Sequence, residues 1–405
     1  EQEMNKWIVF LLNFFAFPAL WAQLNWTQLN PPPNFAERAD PVIFQINDKA
    51  YVGLGNGNTI QHLKDFWEYD IPSNSWTQLD SVNFDGIEEG VFFTLNGKGY
   101  CGTGLSNFNN MYEFDPANLQ WAQKNDFPGQ TREMAVALVI DGVAYFGLGW
   151  NGNSMLDDWW EYDQTSDAWT QKNNFPGECK YAPIGFGMGN TGYIGFGSGM
   201  SACSKEFWQY QPSSDAWVQK NDFPGSPVVF SVPFVIQNYA YAGTGGCFTM
   251  QTNDFWRYDA SSDTWQMLNA LPATLRQGAS GFSYGMKAYL LGGVNTASAT
   301  FLNDFWTFED PTLGFSNPIL KAKTPIKLFP NPASHFLEVD LTEMEANGNW
   351  RGEICDVFGK KVNAFSLAPA SQTAVSVADL PTGLYFMSVY QDQTLVHTEK
   401  LTIQR

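Results

Sequence analysis

Apolar and polar positions alternate along most of the chain in runs of four to six residues, each closed by Gly, Asn, Asp, Ser or Pro, and the runs return every 45 to 50 residues. Alternation with period two puts successive side chains on opposite faces, so each run predicts a half-buried strand. One period holds four such runs. An apolar segment such as REMAVALVI at 132 comes first, then a Tyr-Gly segment such as YFGLG at 145, an aromatic Tyr-Asp segment such as DWWEYD at 158, and a Trp segment such as WTQKN at 169. A turn rich in Asp, Ser and Pro separates the last two, as in DIPSNS at 70, which suits a hairpin. The Trp markers fall at Trp26, Trp76, Trp121, Trp169, Trp217 and Trp265. Six copies of a four-stranded antiparallel unit predict a six-bladed β-propeller over residues 23–310. Glycines beside the crowded axis allow close backbone approach, and Trp and Tyr fill the widening wedge between blades.

The two ends complement each other. The sixth copy stops after Phe308-Glu309 without its Trp segment, whereas Trp26-Thr-Gln-Leu29 is an orphan Trp segment at the start. The N-terminal strand is therefore expected to complete the last blade, which removes the exposed edge of an open ring. Residues 311–325 lose the pattern, carry three Pro and two Lys, and read as a linker. From 326 to 405 alternating runs between Gly and Pro turns predict a small antiparallel, Ig-like β-sandwich.

The recurring Tyr, paired glycines, Tyr-Asp turn and Trp resemble the kelch repeat family, over residues 24 to 310. Five copies read Tyr-x-Gly-x-Gly; only Gly292-Gly293 is the adjacent pair typical of that family. The last eighty residues resemble the C-terminal sorting domain of type IX (Por) secretion cargo, on KLFPNPAS at 327, EICDVFGKKV at 353, DLPTGLYFMSVY at 379 and the final KLTIQR. Pro330-Asn331-Pro332, Gly359, Gly383, Tyr385 and Lys400 carry that match. It implies passage across the outer membrane of a Gram-negative bacterium, to the surface or the medium, through the type IX machinery. Residues 1–22 fit such a route as a signal peptide: Lys6, an apolar Trp7 to Phe17, and a short region ending at Ala22.

Composition narrows the partners. The net charge is −19 with no basic tract, so the protein's own field opposes nucleic acid. No apolar run is long enough to span a bilayer, and a secreted monomer is expected. Five Cys in an exported chain point to one disulfide among Cys179, Cys203 and Cys247, with Cys101 a buried thiol and Cys355 in the sandwich core.

Propellers take ligands at the channel mouth, on the loops that enter the first strand of each blade. Counting thirteen residues back from each marker Tyr gives Arg38, Ile87, Arg132, Lys180, Val228 and Arg276, beside Glu37, Glu88, Glu89, Glu133, Glu178 and Gln277. Two readings stand: a ring of bases and carboxylates that forks onto a glycan or protein ligand, or a set of ion pairs that tie the blades. Some kelch propellers are copper oxidases acting on galactose, but His62 is the one His in this propeller, too few for that site. SSDAW at 213 and SSDTW at 261 lack the glycine and spacing of sialidase Asp-boxes, and no nucleophile elbow, phosphate loop or HExxH segment occurs. No cofactor is expected. The loops NGNSMLDD at 151 and SNFNN at 106 are polar tips or calcium loops. A binding module is the first reading; a sugar mutarotase or epimerase, with Glu133 and Arg132 as acid and base, is the alternative.

Overall fold

The computed structural model describes residues 24–58, 62–85, 87–104, 109–199, 202–313, 326–342, 344, 348–356, 361–391 and 394–404. The proposed signal peptide, Gly359 and most of the proposed linker lie outside them.

The chain is all-β. Six four-stranded antiparallel sheets follow one another as blades 1 to 6, over residues 42–79, 91–123, 136–172, 184–219, 232–268 and 280–309. In blade 3 the strands run from Val136–Ile140 at the axis through Val143–Gly147 and Trp159–Asp163 to Ala168–Lys172 outside. The innermost strands neighbour one another in ring order, and blade 6 meets blade 1. Blade 6 takes its outer strand from Asn25–Leu29, which pairs antiparallel with Phe305–Glu309 and sets Trp26 opposite Phe308. Closure follows the expected scheme. Trp26 lies 4.9 Å from Phe255 of blade 5 and 4.8 Å from Phe308, so the strand fills a seam as well as an edge.

The repeated glycines have two jobs. A Cβ on Gly147 would stand 2.1 Å from the Asp158 carbonyl oxygen, so the first glycine lets two strands meet. The second joins blades: the N–H groups of Gly55, Gly104, Gly149, Gly197, Gly245 and Gly293 donate to the carbonyls of Ile87, Arg132, Lys180, Val228, Arg276 and Arg38 of the following blade, at 2.8–3.1 Å. The last of these closes the circle. All six have φ between 81° and 106°, which glycine adopts without strain. The residue before each is also left-handed, from Thr103 at 55° to Gly292 at 71°, so the adjacent pair Gly292-Gly293 is the unstrained version of a turn that five blades make with Leu, Thr or Phe.

The C-terminal part pairs a three-stranded sheet, Lys327–Phe329, Phe336–Asp340 and Gln372–Ser376, with a four-stranded one, Lys361–Leu367, Trp350–Asp356, Gly383–Gln391 and Thr394–Ile403. Leu337, Val339, Ile354, Met387, Leu401 and Ile403 form its own closed core. Asn331 binds the last strand from both sides: its amide donates to the Lys400 carbonyl at 2.6 Å and its oxygen accepts from Thr402 N–H at 3.0 Å. The Tyr385 hydroxyl donates to the Pro381 carbonyl at 3.0 Å.

Candidate functional site

The four bases that sequence spacing sets at the channel mouth are turned inward. Arg38, Arg132 and Arg276 are fully buried. Arg132 donates from Nε to the Gln130 carbonyl at 3.1 Å, from Nη1 to the Leu148 carbonyl at 3.1 Å, and from Nη1 and Nη2 to the two Asp158 carboxylate oxygens at 2.6 and 2.7 Å. Four of five guanidinium N–H groups are thereby used. Arg38 repeats the set with Ala36, Leu54 and Asp65, and Arg276 with Thr274, Gly292 and Asp304. The indole N–H of Trp67, Trp160 and Trp306 donates to the same carboxylates.

Each Arg is thus an internal pin that fastens a blade's entry segment to the start of its third strand. Burial would raise the Asp158 carboxyl, but the hydrogen bonds and charge of Arg132 carry it below its ordinary value. Lys180 makes a shorter version: it donates to the Ser204 hydroxyl at 3.1 Å and to Glu206 at 3.3 Å, where the longer acid makes up for the ammonium's smaller span. Burial lowers the Lys180 pKa, and Glu206 opposes that shift. Blades 2 and 5 have no pin, because Ile87 and Val228 hold the position. The expectation that Arg38, Arg132, Lys180 and Arg276 reach a ligand is therefore corrected: four of the five N–H groups of each Arg go to carbonyls and a carboxylate inside the blades, and Lys180 goes to the Ser204 hydroxyl and Glu206.

Two residues beyond each pin position the chain forms a ring around the axis. Asp40, Glu89, Met134, Ala182, Phe230 and Gly278 all have φ between 49° and 63°. Within it Asp40 N–H donates to Gly278, Gly278 to Phe230, Ala182 to Met134, and Met134 to Glu89, at 2.7–3.1 Å. These six residues line a cavity of about 250 Å³ that continues between the innermost strands. Since Met134, Ala182 and Phe230 take the same conformation, the left-handed ring belongs to the architecture, and its side chains are free to vary.

Two of those side chains are acids. Burial, then the charge of Glu88, pushes the Asp40 carboxyl up to about 7. Burial, then Asp40, Glu133 and Glu88, pushes Glu89 up to about 8. Glu88 and Glu133, one residue beyond their pin positions, are also raised, chiefly by burial. Asn56 donates to Glu88 Oε1, while Glu88 Oε2 stands 3.6 Å from His62 Nδ1, beyond hydrogen-bond range. Glu88 Oε2, Glu89 Oε2 and His62 Nδ1 are all buried atoms without a hydrogen-bond partner.

The mouth is thus a nest of four mutually repelling carboxyls with spare acceptors. Of the expected residues, Glu88, Glu89 and Glu133 meet here. Glu37 is exposed and is not among the charges acting on Asp40 or Glu89. Gln277 is half-buried beside the ring, its N–H bonded to the Val294 carbonyl. Asp40 escaped the sequence reading. The ring residues share a backbone conformation and no chemistry, so no consensus marks them.

Cys203 and Cys247 form a disulfide that links blades 4 and 5 on the mouth side, leaving Cys179 as a thiol. Cys101 is buried as expected, whereas Cys355 is half-buried at a strand end rather than in the sandwich core. Among the described residues no group of three or more His, Cys, Asp or Glu could hold a metal ion, and Asn151 turns its oxygen to the N–H groups of Asn153 and Ser154. Of the second polar loop, residues 106–108 lie outside the described residues.

Residues 327–404 match the family of secretion system C-terminal sorting domains. The solved structure of YjhT superposes on 68% of this chain and 95% of its own, with a TM-score of 0.60 at 12% identity, a likeness of fold. No curated protein matches the chain in sequence. Among the described residues no helix is long and apolar enough to cross a membrane. The sorting domain marks the chain for export by the type IX machinery to the cell surface or extracellular space.

Proposed function

We propose that this exported propeller is a glycan-binding module whose site is the channel mouth, built from Asp40, Glu88, Glu89 and Glu133 with Gln277 beside them. The observation that carries the reading is the pair of buried carboxyl oxygens with no partner, Glu89 Oε2 on the wall of a narrow cavity that Asp40 also lines and Glu88 Oε2 on the residue before it. The Asp40 and Glu89 carboxyls, pushed up to about 7 and about 8, both donate and accept hydrogen bonds near neutrality, which suits sugar hydroxyls. With the bases withdrawn into the blades, the mouth favours neutral or cationic sugars over acidic ones. A cavity of about 250 Å³ admits one ring end of a glycan rather than a folded partner.

The test is a glycan-array screen of the full chain and of Asp40→Asn/Glu89→Gln. Retention of neutral or amino-sugar glycans by the first and their loss from the second supports the reading. Retention of acidic glycans alone sinks it.

One observation favours a second reading, a sugar mutarotase or epimerase. Two carboxyls with pKa values of about 7 and about 8 are placed to give and take protons at neutral pH. Anomer equilibration of a bound sugar, followed by NMR, separates the two: binding without faster equilibration leaves a lectin-like module.

A further inference from the structure

The seam between blades 1 and 2 differs from its neighbours. In the pinned blades an Arg, an Asp and a Trp fill the inner space under the entry segment, and in blade 1 a cavity of about 670 Å³ remains only outside Asp65 and Trp67, with Arg38 not among its lining residues. Blade 2 puts Ile87, Asn110 and Tyr112 in those three places, and a cavity of about 500 Å³ opens there, within the range of ligand clefts. Without a guanidinium between them, the rings also rearrange. Phe127 meets Trp160 edge-on at 5.4 Å and 80°, whereas Phe84 and Tyr112 lie flat at 3.8 Å and 8°, with Trp121 edge-on to Phe84 at 5.2 Å. The result is a broad aromatic wall.

The polar groups on the other sides are amides and an ion pair, with the Asp126 carboxylate beside them accepting from Asn110 at 3.2 Å and from Gln123 at 3.4 Å. Asn83, Asn110 and Gln123 each carry an amide that donates and accepts, and Lys64 and Asp85 at the rim pair with each other at 3.3 Å. Thr103, 5% exposed, lines the same cavity with a buried hydroxyl that has no hydrogen-bond partner. A buried hydroxyl left unsatisfied is costly unless something arrives to meet it.

We infer that this cavity is a second binding site, separate from the channel mouth, that takes a neutral hexopyranose unit. The C–H face of the ring packs on the Tyr112 and Trp121 side, and its hydroxyls meet Thr103 and the three amides. The ligand is uncharged because the ion pair of the pinned blades is replaced here by Ile87 and Asn110, the rim charges cancel, and the Asp126 carboxylate is already taken up by Asn110 and Gln123.

The test titrates the full chain with maltose, cellobiose and N,N′-diacetylchitobiose, by calorimetry and by Trp fluorescence. The decisive variant is Ile87→Arg/Asn110→Asp, which fills the cavity with the pin that three other blades already fold around. At least one disaccharide binds the unaltered chain; the filled variant loses that binding at least tenfold, and Asp40→Asn/Glu89→Gln keeps it. Should the filled variant fail to fold, Asn83→Ala/Gln123→Ala, both exposed, weakens binding about fivefold or more, one or two neutral hydrogen bonds. Binding that survives filling, or no binding of any of the three sugars, overturns the inference. Binding lost only in Asp40→Asn/Glu89→Gln would place the sugar at the channel mouth and overturn it equally.

Discussion

Seams 2/3 and 1/2 are made of the same strands and closed by different side chains. At seam 2/3 Arg132 is pinned by Asp158 on the mouth side, and on the opposite side Asn125 clamps the next blade, its N–H to Asp167 Oδ2 at 3.0 Å and its amide to the Asp167 carbonyl at 2.8 Å. Asn173 with Asp215 and Asn221 with Asp263 repeat the clamp. At seam 1/2 the pin is Ile87 and Asn110, and the clamp positions hold Asp80 and Leu119. The Asp80 carboxylate has no N–H to give to the Leu119 carbonyl, and the Leu119 side chain has nothing to accept the Asp80 backbone N–H. Both the mouth-side cavity of about 500 Å³ and an opposite one of about 750 Å³ lie along this seam. Polar fasteners, not the hydrophobic wedge, are what vary between these two seams; open space by itself does not follow them, since pinned blade 1 also borders a cavity of about 670 Å³ beside Asp65 and Trp67.

The largest effect is expected at the seam that depends on the chain's own start. Deleting Asn25–Leu29 strips blade 6 of its outer strand and removes Trp26 from between Phe255 and Phe308. Losing the half-buried Trp26 together with the backbone pairing of the whole strand should cost roughly 3–5 kcal/mol. A denaturant midpoint unchanged by the deletion would show that closure rests elsewhere.

Next comes the pin itself. Asp158→Ala leaves Arg132 charged, fully buried and unpaired, at about 3–5 kcal/mol. Asn110→Ala, the same position in the unpinned blade, removes a half-buried amide whose bond to Asp126 is exposed, and should stay under about 1 kcal/mol. Equal costs, measured by urea unfolding, would erase the distinction between the seams.

The channel mouth sets a pH dependence of opposite sign to that of the pins. Asp40 and Glu89 hold their protons in the folded chain up to about pH 7 and 8, against ordinary values of 3.8 and 4.5. Between those limits the folded state carries more protons than the unfolded one, so their contribution to stability falls as pH rises. Asp158 and Glu206, whose carboxyls are lowered, act only in acid, where stability falls as pH drops. Glu88, Glu133 and His62 face the same cluster, so a residual slope should survive in Asp40→Asn/Glu89→Gln. A melting temperature that declines from pH 5 to 8 in the unaltered chain, and less steeply in that variant, is the expected result. Identical slopes would refute the assignment.

The repeats made much of this legible. Trp26 without a third strand before it, and Phe308 without a Trp after it, announced the closure. The pin was readable too, since position by position five blades pair Arg38 with Asp65, Ile87 with Asn110, Arg132 with Asp158, Lys180 with Glu206 and Arg276 with Asp304, and only blade 5, with Val228 and Asp254, keeps the acid without the base. Internal repeats carry their own covariation, and a base that changes in step with an acid twenty-odd residues away is a structural partner before it is a ligand site. Asp40 stayed hidden because a left-handed backbone that accepts Asp, Met, Ala, Phe and Gly alike leaves no trace in residue type. The mouth's chemistry comes from which side chains happen to stand on that ring.

The smallest effect tests the comparison most directly, by rebuilding the absent clamp. Leu119 is 42% exposed with φ at 59°, so it combines a poorly hydrated side chain with a backbone that Asp tolerates better. Asp167, Asp215 and Asp263 occupy the equivalent turn with φ of 49–52°. Leu119→Asp alone would face Asp80 across the seam, carboxylate against carboxylate, and should gain little. Asp80→Asn alone restores the amide, which still finds the Leu119 carbonyl but no side-chain acceptor for its N–H. Together they supply both bonds of the Asn125 clamp, and a coupling of about 0.5–1 kcal/mol beyond the sum of the single changes is expected, the net worth of an exposed neutral-to-charged hydrogen bond. A coupling near zero in that cycle would mean that the clamps at seams 2/3, 3/4 and 4/5 are ornaments of a ring held by its aromatic wedge alone. In that case seam 1/2, for all its open space, is no looser than its neighbours.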